Sequence, residues 1–390
     1  MIRICRVCGK VNCRLHEFNL GIIKRIDSFS GSSPPEIFVG RYNYPNVNIG
    51  ILSPQEKGNT KLYSSQELWH EKKLPIPEIL SLRAKLIYGR TKGNVKKVVE
   101  KSPFLSTMQE IAMTSKSVST EFKLEKPIET HDESESYIPI IKNSAQVKSV
   151  RLEENPMIER KIDYLVNDTD ALSKTSLLEL EKAKTPVSTI IKILSAGLLG
   201  LKTRRKLVPT RWSITAVDDL LSKEKLKKIK LYPEISDYLL FNAEYIGNHY
   251  EILLLPDKFS FEVIEINKQN HNLAWQDHET FFPRKTYAES VTGAYYANRL
   301  ALCEYLEKQQ KQASCLIFRE ITEEYTQSMG VGVLRQLARE AFSKQPEKFS
   351  SLQEALSIIQ TRLKLPIATF TNKSILLRDY KKQAKLTNWI

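Results

Sequence analysis

The chain has 390 residues, 41% apolar and 9% aromatic, which is enough to build more than one packed core and excludes a disordered polyelectrolyte. A formal charge of +14 favours a polyanionic partner, and no run of about 20 apolar residues is present to span a bilayer. The N-terminus lacks the apolar stretch of a secretory signal, and three of the five cysteines crowd into the first 13 residues, so the chain reads as cytoplasmic without a disulfide framework.

The first 20 residues form a leader, "CRVCGKVNCRLH", that spaces Cys5, Cys8, Cys13 and His16 as C-x2-C-x4-C-x2-H. Gly9 permits the tight bend that brings two thiolates to one ion. Three thiolates and an imidazole complete a tetrahedral Zn²⁺ shell with no open position, so the expected metal is structural zinc. So short a leader has no hydrophobic core, and metal binding would supply its folding free energy. Incidental reduced thiols are the alternative.

Residues 21–145 read as an N-terminal α/β region. It opens with "DSFSGSSPPEIFVGR", a Ser/Gly/Pro-rich loop before apolar, strand-like stretches. Successive N–H groups around Ser30, Gly31, Ser32 and Ser33 suit an anion-binding nest, and Arg41 suits bidentate contact with a phosphate. The plain alternative is a tight loop whose hydroxyls satisfy their own backbone. Residues 76–101 read as a basic-ended helix, and "TSKSVSTEFKLEKPIETHDESESY" as a polar linker or surface excursion.

Residues 146–375 read as the main body, with helices and strands mixed without regular alternation, which is an α+β fold. "VSTIIKILSAGLLGL" carries a helical apolar face. "DYLLFNAEYIGNHYEILLLPDKFSFEVIEI" reads as a three-stranded meander turning at Gly247-Asn248 and Pro256-Asp257. A long helix from Tyr287, a strand "SCLIFREI", and helices near 330–343 and 351–363 follow. In "VPTRWSITAVDD", Ser213 suits a helix cap, with Arg211 and Trp212 just before it as a phosphate and base contact. Asp218 and Asp219 are candidates to hold a divalent metal such as Mg²⁺ or to act as acid and base, although two carboxylates near a helix start are explained by the dipole alone. Arg284, Lys285 and Glu289 of "PRKTYAES" are further candidates, and a catalytic reading needs these segments to converge. The runs "KTRRK" and "KEKLKKIK" are candidate phosphate contacts on DNA, or solvated helix faces.

The tail, residues 376–390, ends on "QAKLTNWI", with Gln383, Leu386 and Trp389 three apart and Ile390 last. A single 3₁₀ turn aligns such residues into one apolar plug, which is either packed on the chain's own body or kept for another protein.

"SFSGSSPPEIFVGRYNYP", "RLEENPMIERKIDYLVNDTD", "SAGLLGL" followed by "RKLVPTRWSITAVDD", and "RKTYAESVTGAYYANRLALCEYL" resemble the archaeal Nre family of DNA repair proteins over essentially the whole chain. The resemblance implies a role in surviving DNA damage and a C-terminal motif that binds the sliding clamp PCNA. It implies no known reaction. Gln383, Leu386, Trp389 and Ile390 are similar to that motif, Q-x-x-[LIM]-x-x-aromatic-aromatic, with Ile390 standing where a second ring is usual. The family leader usually offers four cysteines, and here the fourth position is His16. Two functions are expected in consequence: a clamp-recruited DNA repair factor without catalysis, or a clamp-tethered enzyme acting on damaged DNA or a nucleotide.

Overall fold

The computed structural model describes residues 26–98, 100, 102–127, 143–270 and 272–382. The described residues form two compact units, one comprising those up to Val217 with Gln327–Gly330, the other those of Asp218–Thr326 with those from Val331 to Lys382.

The first unit is built on β1 (Ser28–Ser33), β2 (Ile37–Val39), β3 (Asn46–Ser53), the short helix α1 (Gln66–Glu71), α2 (Ile76–Ala84), β4 (Ile87–Asn94), α3 (Pro103–Met113), β5 (Val118–Leu124) and β6 (Asn143–Leu152). The strands form one sheet in the order β1-β5-β6-β4-β3-β2, antiparallel except where β4 runs parallel to β6. Three small helices come next: α4 (Arg160–Asn167), α5 (Ser173–Lys182) and α6 (Val187–Ser195). Phe29 stacks on Phe122 at 4.6 Å across the β1–β5 pair, and Ile49, Ile51, Met108, Ile111, Ile190 and Ile193 are buried. Ser102 starts α3 by accepting from the Leu105 N–H at 3.2 Å, with Pro103 in the first turn where a missing N–H costs nothing.

Two readings of this region are corrected. The helix near 76–101 stops at Ala84, because Ile87–Asn94 is a strand whose Gly89 sits under Phe122 and Val147. A Cβ at Gly89 would stand 3.0 Å from each of those side chains. The polar stretch after Thr114 is not a linker through its first half. Val118, Thr120, Phe122 and Leu124 alternate inward along β5, which lies between β1 and β6.

Helix α7 (Thr210–Ile229) starts in the first unit and ends in the second. The second unit then adds β7 (Tyr238–Tyr245), β8 (Asn248–Leu255), β9 (Ser260–Asn267), β10 (Ala274–Glu279), α8 (Gly293–Gln309), β11 (Ser314–Ile321), α9 (Val331–Ser343), β12 (Glu347–Phe349), α10 (Leu352–Arg362), the short α11 (Ala368–Thr371) and α12 (Ile375–Lys382). The sheet order is β10-β9-β11-β8-β7-β12. β7 and β8 form the expected hairpin, but the meander ends there. β11 enters between β8 and β9, antiparallel to the first and parallel to the second. All eight residues of β11 are buried, as a central strand covered on both faces requires. One face packs Leu240, Leu253, Ile264 and Phe318 against α10, Phe370 and α12. On the other, Phe261 meets Tyr295 of α8 at 5.0 Å, and Phe241 meets Phe342 of α9 at 5.2 Å. The whole is mixed α+β, as the sequence indicates.

Candidate nucleic-acid interface

The Ser/Gly/Pro stretch is a strand, so the nest expected of an open loop does not form. Its N–H and C=O groups pair with β5 and with the segment after β3, where the Ser32 N–H donates to the Glu56 carbonyl at 2.9 Å. Ser30 Oγ donates to Glu153 Oε2 at 2.8 Å, Ser32 Oγ accepts from the Gly58 N–H at 2.9 Å, and Ser33 is fully buried. Gly31 is required for another reason than anion binding: a Cβ there would stand 1.8 Å from the Pro54 carbonyl oxygen.

The turn after β2 does form a surface. Here the chain passes through Arg41, Tyr42, Asn43 and Tyr44 to Pro45. Asn43 adopts φ +62°, and the turn is closed by the Asn46 N–H donating to the Asn43 carbonyl at 2.8 Å. Two ties fix this turn to the start of α7. The Val39 N–H donates to Thr210 Oγ1 at 2.9 Å, and the Tyr44 ring meets the Trp212 ring at 5.7 Å, tilted by 47°. Tyr42, Tyr44 and Trp212 are 60%, 44% and 47% exposed, unusual for three large rings in one place. The Arg41 guanidinium lies 5.1 Å from the Tyr42 ring centre, and Arg211 occupies the position beside Trp212 in the first turn of α7. Helix α7 therefore begins at Thr210, not at Ser213, which is buried within it. Pro209 precedes the first residue, where its fixed φ suits a helix start.

Two backbone hydrogen bonds extend the surface. The Val95 N–H donates to the Pro45 carbonyl at 2.9 Å, and the Leu207 N–H donates to the Val95 carbonyl at 3.0 Å. They set the ring-bearing turn, the basic stretch at and just after the end of β4 (Lys92, Lys96, Lys97) and the exit of the "KTRRK" run side by side. Lys92, Lys96, Lys202, Arg204 and Lys206 are exposed. Arg205 is turned inward instead, donating to the Gly200 and Asp168 carbonyls at 2.8 Å each. Gly197, at φ +69°, lets the turn after α6 approach the same run: a Cβ there would stand 2.8 Å from the Lys206 carbonyl oxygen. Helix α6 braces the strap from β1 to α7. Its Lys192 Nζ donates to the Pro35 carbonyl at 2.5 Å, and its Ser195 Oγ lies 3.2 Å from Thr210 Oγ1. Burial pushes the Lys192 pKa down to about 8.

The remaining candidates belong to the second unit, and Asp218, Asp219 and Arg284 are engaged there. Asp218 is fully buried and takes both arms of Arg335, at 3.1 and 2.6 Å. Burial raises its pKa, with the Arg335 guanidinium opposing the shift. Asp219 accepts from Arg299 and from Lys223 Nζ at 2.8 Å, and Arg299 also grips Glu279 at 2.9 and 3.1 Å. A carboxylate pair so occupied is a structural junction, not a metal cradle. "KEKLKKIK" is likewise largely neutralised: Lys225 and Lys228 bind Glu307 at 2.8 and 3.1 Å, and Lys227 binds Glu224 at 2.7 Å. Arg284 holds its own loop together through Asp277, His278 and Tyr287, while Lys285 and Glu289 are exposed on that loop. Of the sequence candidates, Arg41 and Arg211 lie on the two segments that the Tyr44–Trp212 and Val39–Thr210 contacts bring together. Tyr42 and Tyr44 are not singled out by sequence reasoning, although "RYNYP" carries its own signal, two aromatic residues after an arginine in a turn sequence.

Among the described residues, no group of three or more His, Cys, Asp or Glu side chains could hold a metal ion. Cys5, Cys8, Cys13 and His16, and Gln383, Leu386, Trp389 and Ile390, lie outside the described residues. No helix of the described residues is long and apolar enough to cross a membrane.

Comparison with known proteins identifies the chain. The family described as "Archaeal Nre, N-terminal" matches residues 7–274, and "Archaeal Nre, C-terminal" matches residues 279–389. Relatives include DNA repair protein NreB of Archaeoglobus fulgidus, 34% identical over 355 residues, 89% of this chain and 88% of that one. DNA repair protein NreA of the same organism is 34% identical over 366 residues, covering 92% and 91% of the two chains. DNA repair protein NreA of Haloferax volcanii is 30% identical over 363 residues, covering 89% and 86%. No solved structure matches. With two family descriptions covering almost its entire length, this chain belongs to the archaeal Nre family.

Proposed function

We propose that this chain is a DNA repair protein that contacts DNA through the aromatic and basic surface of its first unit and is recruited by the sliding clamp PCNA through its tail. Kinship with proteins named for DNA repair supports the first part. The single observation that carries the DNA contact is the meeting of Tyr44 and Trp212, which joins two arginine-bearing segments 171 residues apart, as counted between Val39 and Thr210. Cations supply the salt-sensitive attraction to phosphate, and open rings supply the contact with bases.

The clamp contact rests on the spacing of Gln383, Leu386, Trp389 and Ile390. Burying the three apolar residues of that set supplies roughly 5–8 kcal/mol gross. Ordering a free tail removes several kcal/mol, leaving a micromolar contact suited to reversible recruitment. Lys381, Lys382 and Lys385 assist encounter with an acidic clamp surface. In the leader, Cys5, Cys8, Cys13 and His16 hold one structural zinc, readable by metal analysis of protein prepared without chelators.

Truncation before Gln383 tests the recruitment: the shortened chain should no longer co-elute with PCNA while still binding a labelled DNA. Undiminished co-elution would refute the role of the tail. The enzyme reading gains nothing from Asp218 and Asp219, whose carboxylates serve Arg335 and Arg299.

A further inference from the structure

We infer that the surface around Trp212 takes unpaired nucleotides, so that this chain prefers single-stranded over fully paired DNA. The inference rests on the DNA-contact reading above and names which form of DNA that surface fits.

The rings carry the argument. Tyr44 and Trp212 touch at 5.7 Å and a 47° tilt, too close to admit a base between them, yet each remains nearly half exposed. Each therefore offers its outer side, and Tyr42, with Arg41 beside it, offers a third open ring. A ring of this kind gains most from the flat face of a base. In a duplex those faces are covered by neighbouring bases, and only the edges reach the grooves. In a single strand they are open, and stacking on aromatic side chains is the usual way such strands are held.

The cations fit the same ligand. Arg41 precedes Tyr42 and Tyr44 on one segment and Arg211 precedes Trp212 on the other, and Lys96, Arg204 and Lys206 stand on the segments hydrogen-bonded next to them. Interleaving of charge and ring suits a chain in which phosphate and base alternate. The turn is also fixed before any ligand arrives, through Asn43, Asn46, Pro45 and Val95, so little ordering cost falls on binding.

Fluorescence anisotropy of the full chain with a labelled thymidine oligonucleotide and with a duplex of equal length, across a salt series, tests this. The single strand should bind at least about tenfold more tightly. Trp212→Ala should remove about tenfold of single-strand affinity and much less of duplex affinity, Trp212→Phe should restore most of the loss, and Arg211→Ala should weaken both forms and lower the salt slope by about one. Because Trp212 is one of four tryptophans, its quenching by the oligonucleotide is read as the difference between wild type and Trp212→Phe. Equal binding of both forms, or equal loss from both on Trp212→Ala, overturns the preference while leaving DNA contact intact. No binding of either form overturns the DNA-contact reading as well.

Discussion

The two units gather different features: open rings beside exposed cations in the first, and a set of interior arginines in the second. In the first, Lys96, Arg204 and Lys206 are exposed on segments next to Tyr44 and Trp212, while Arg83 is buried against Glu36 at 2.7 Å. In the second, arginines are drawn inside: Arg299, Arg319 and Arg335 are 1%, 5% and 2% exposed, each locked to a buried or half-buried carboxylate. A net charge of +14 therefore says little about where a polyanion would bind. An arginine paired inside a fold has committed its charge to architecture, whereas an exposed cation still attracts a polyanion.

The sharpest way to break this contrast is Asp218→Ala. If Asp218 serves Arg335 alone, losing it leaves a buried guanidinium unpaired and should cost about 3–5 kcal/mol in urea unfolding. A double replacement of Asp218 and Arg335 by leucine should recover most of that. An Asp218→Ala protein of unchanged stability would make the carboxylate a candidate for chemistry again. On the other side, Trp212→Ala should cost less, about 1–2 kcal/mol, because the ring lies half in solvent and contributes only its buried half and its contact with Tyr44.

A pH titration sharpens the second unit further. Burial disfavours a charge on His249, but the Glu251 and Glu244 carboxylates, at 2.8 and 3.5 Å, outweigh it and hold its pKa above the ordinary 6.5. The folded chain therefore binds this proton more tightly than the unfolded chain. The stabilisation is complete below the unfolded value and fades as pH rises through the folded one. Relative to His249→Gln, the wild type should lose unfolding free energy as pH rises from the ordinary 6.5 through the raised folded value. The smallest effect is expected at the exposed Lys97–Glu100 pair, 2.9 Å apart, where Lys97→Ala should change stability by less than about 0.5 kcal/mol.

How far the sequence reveals this depends on the range of the interactions involved. Helices α9 and α10 are legible from local apolar spacing, and α8 and β11 from long, largely apolar runs, although α8 starts at Gly293 and not at Tyr287, because the residues before it form a loop. The position of β11 between β8 and β9 is not, since strand order is decided by pairings distant along the chain. β5 shows why composition misleads: Val118, Thr120, Phe122 and Leu124 alternate correctly, but the Ser, Glu and Lys between them make the stretch resemble a linker. At the candidate site, Arg41, Arg211 and Trp212 stand out as residue types suited to phosphate and base. The meeting of their segments does not, because it depends on Thr210 reaching back to Val39. The Asp218–Asp219 doublet invites a catalytic reading for the converse reason. Its partners lie 117 and 80 positions away in Arg335 and Arg299, where no spacing rule looks.

Gly197 has a reach beyond its own turn. With the Lys206 carbonyl so near, this hydrogen-only position works as a shim that sets the height of the neighbouring cationic rim. An alanine there would tilt that rim without deleting a single positive group. Affinity for a polyanion would then fall while the number of released counterions stayed the same, separating how many contacts are made from how well they are aimed.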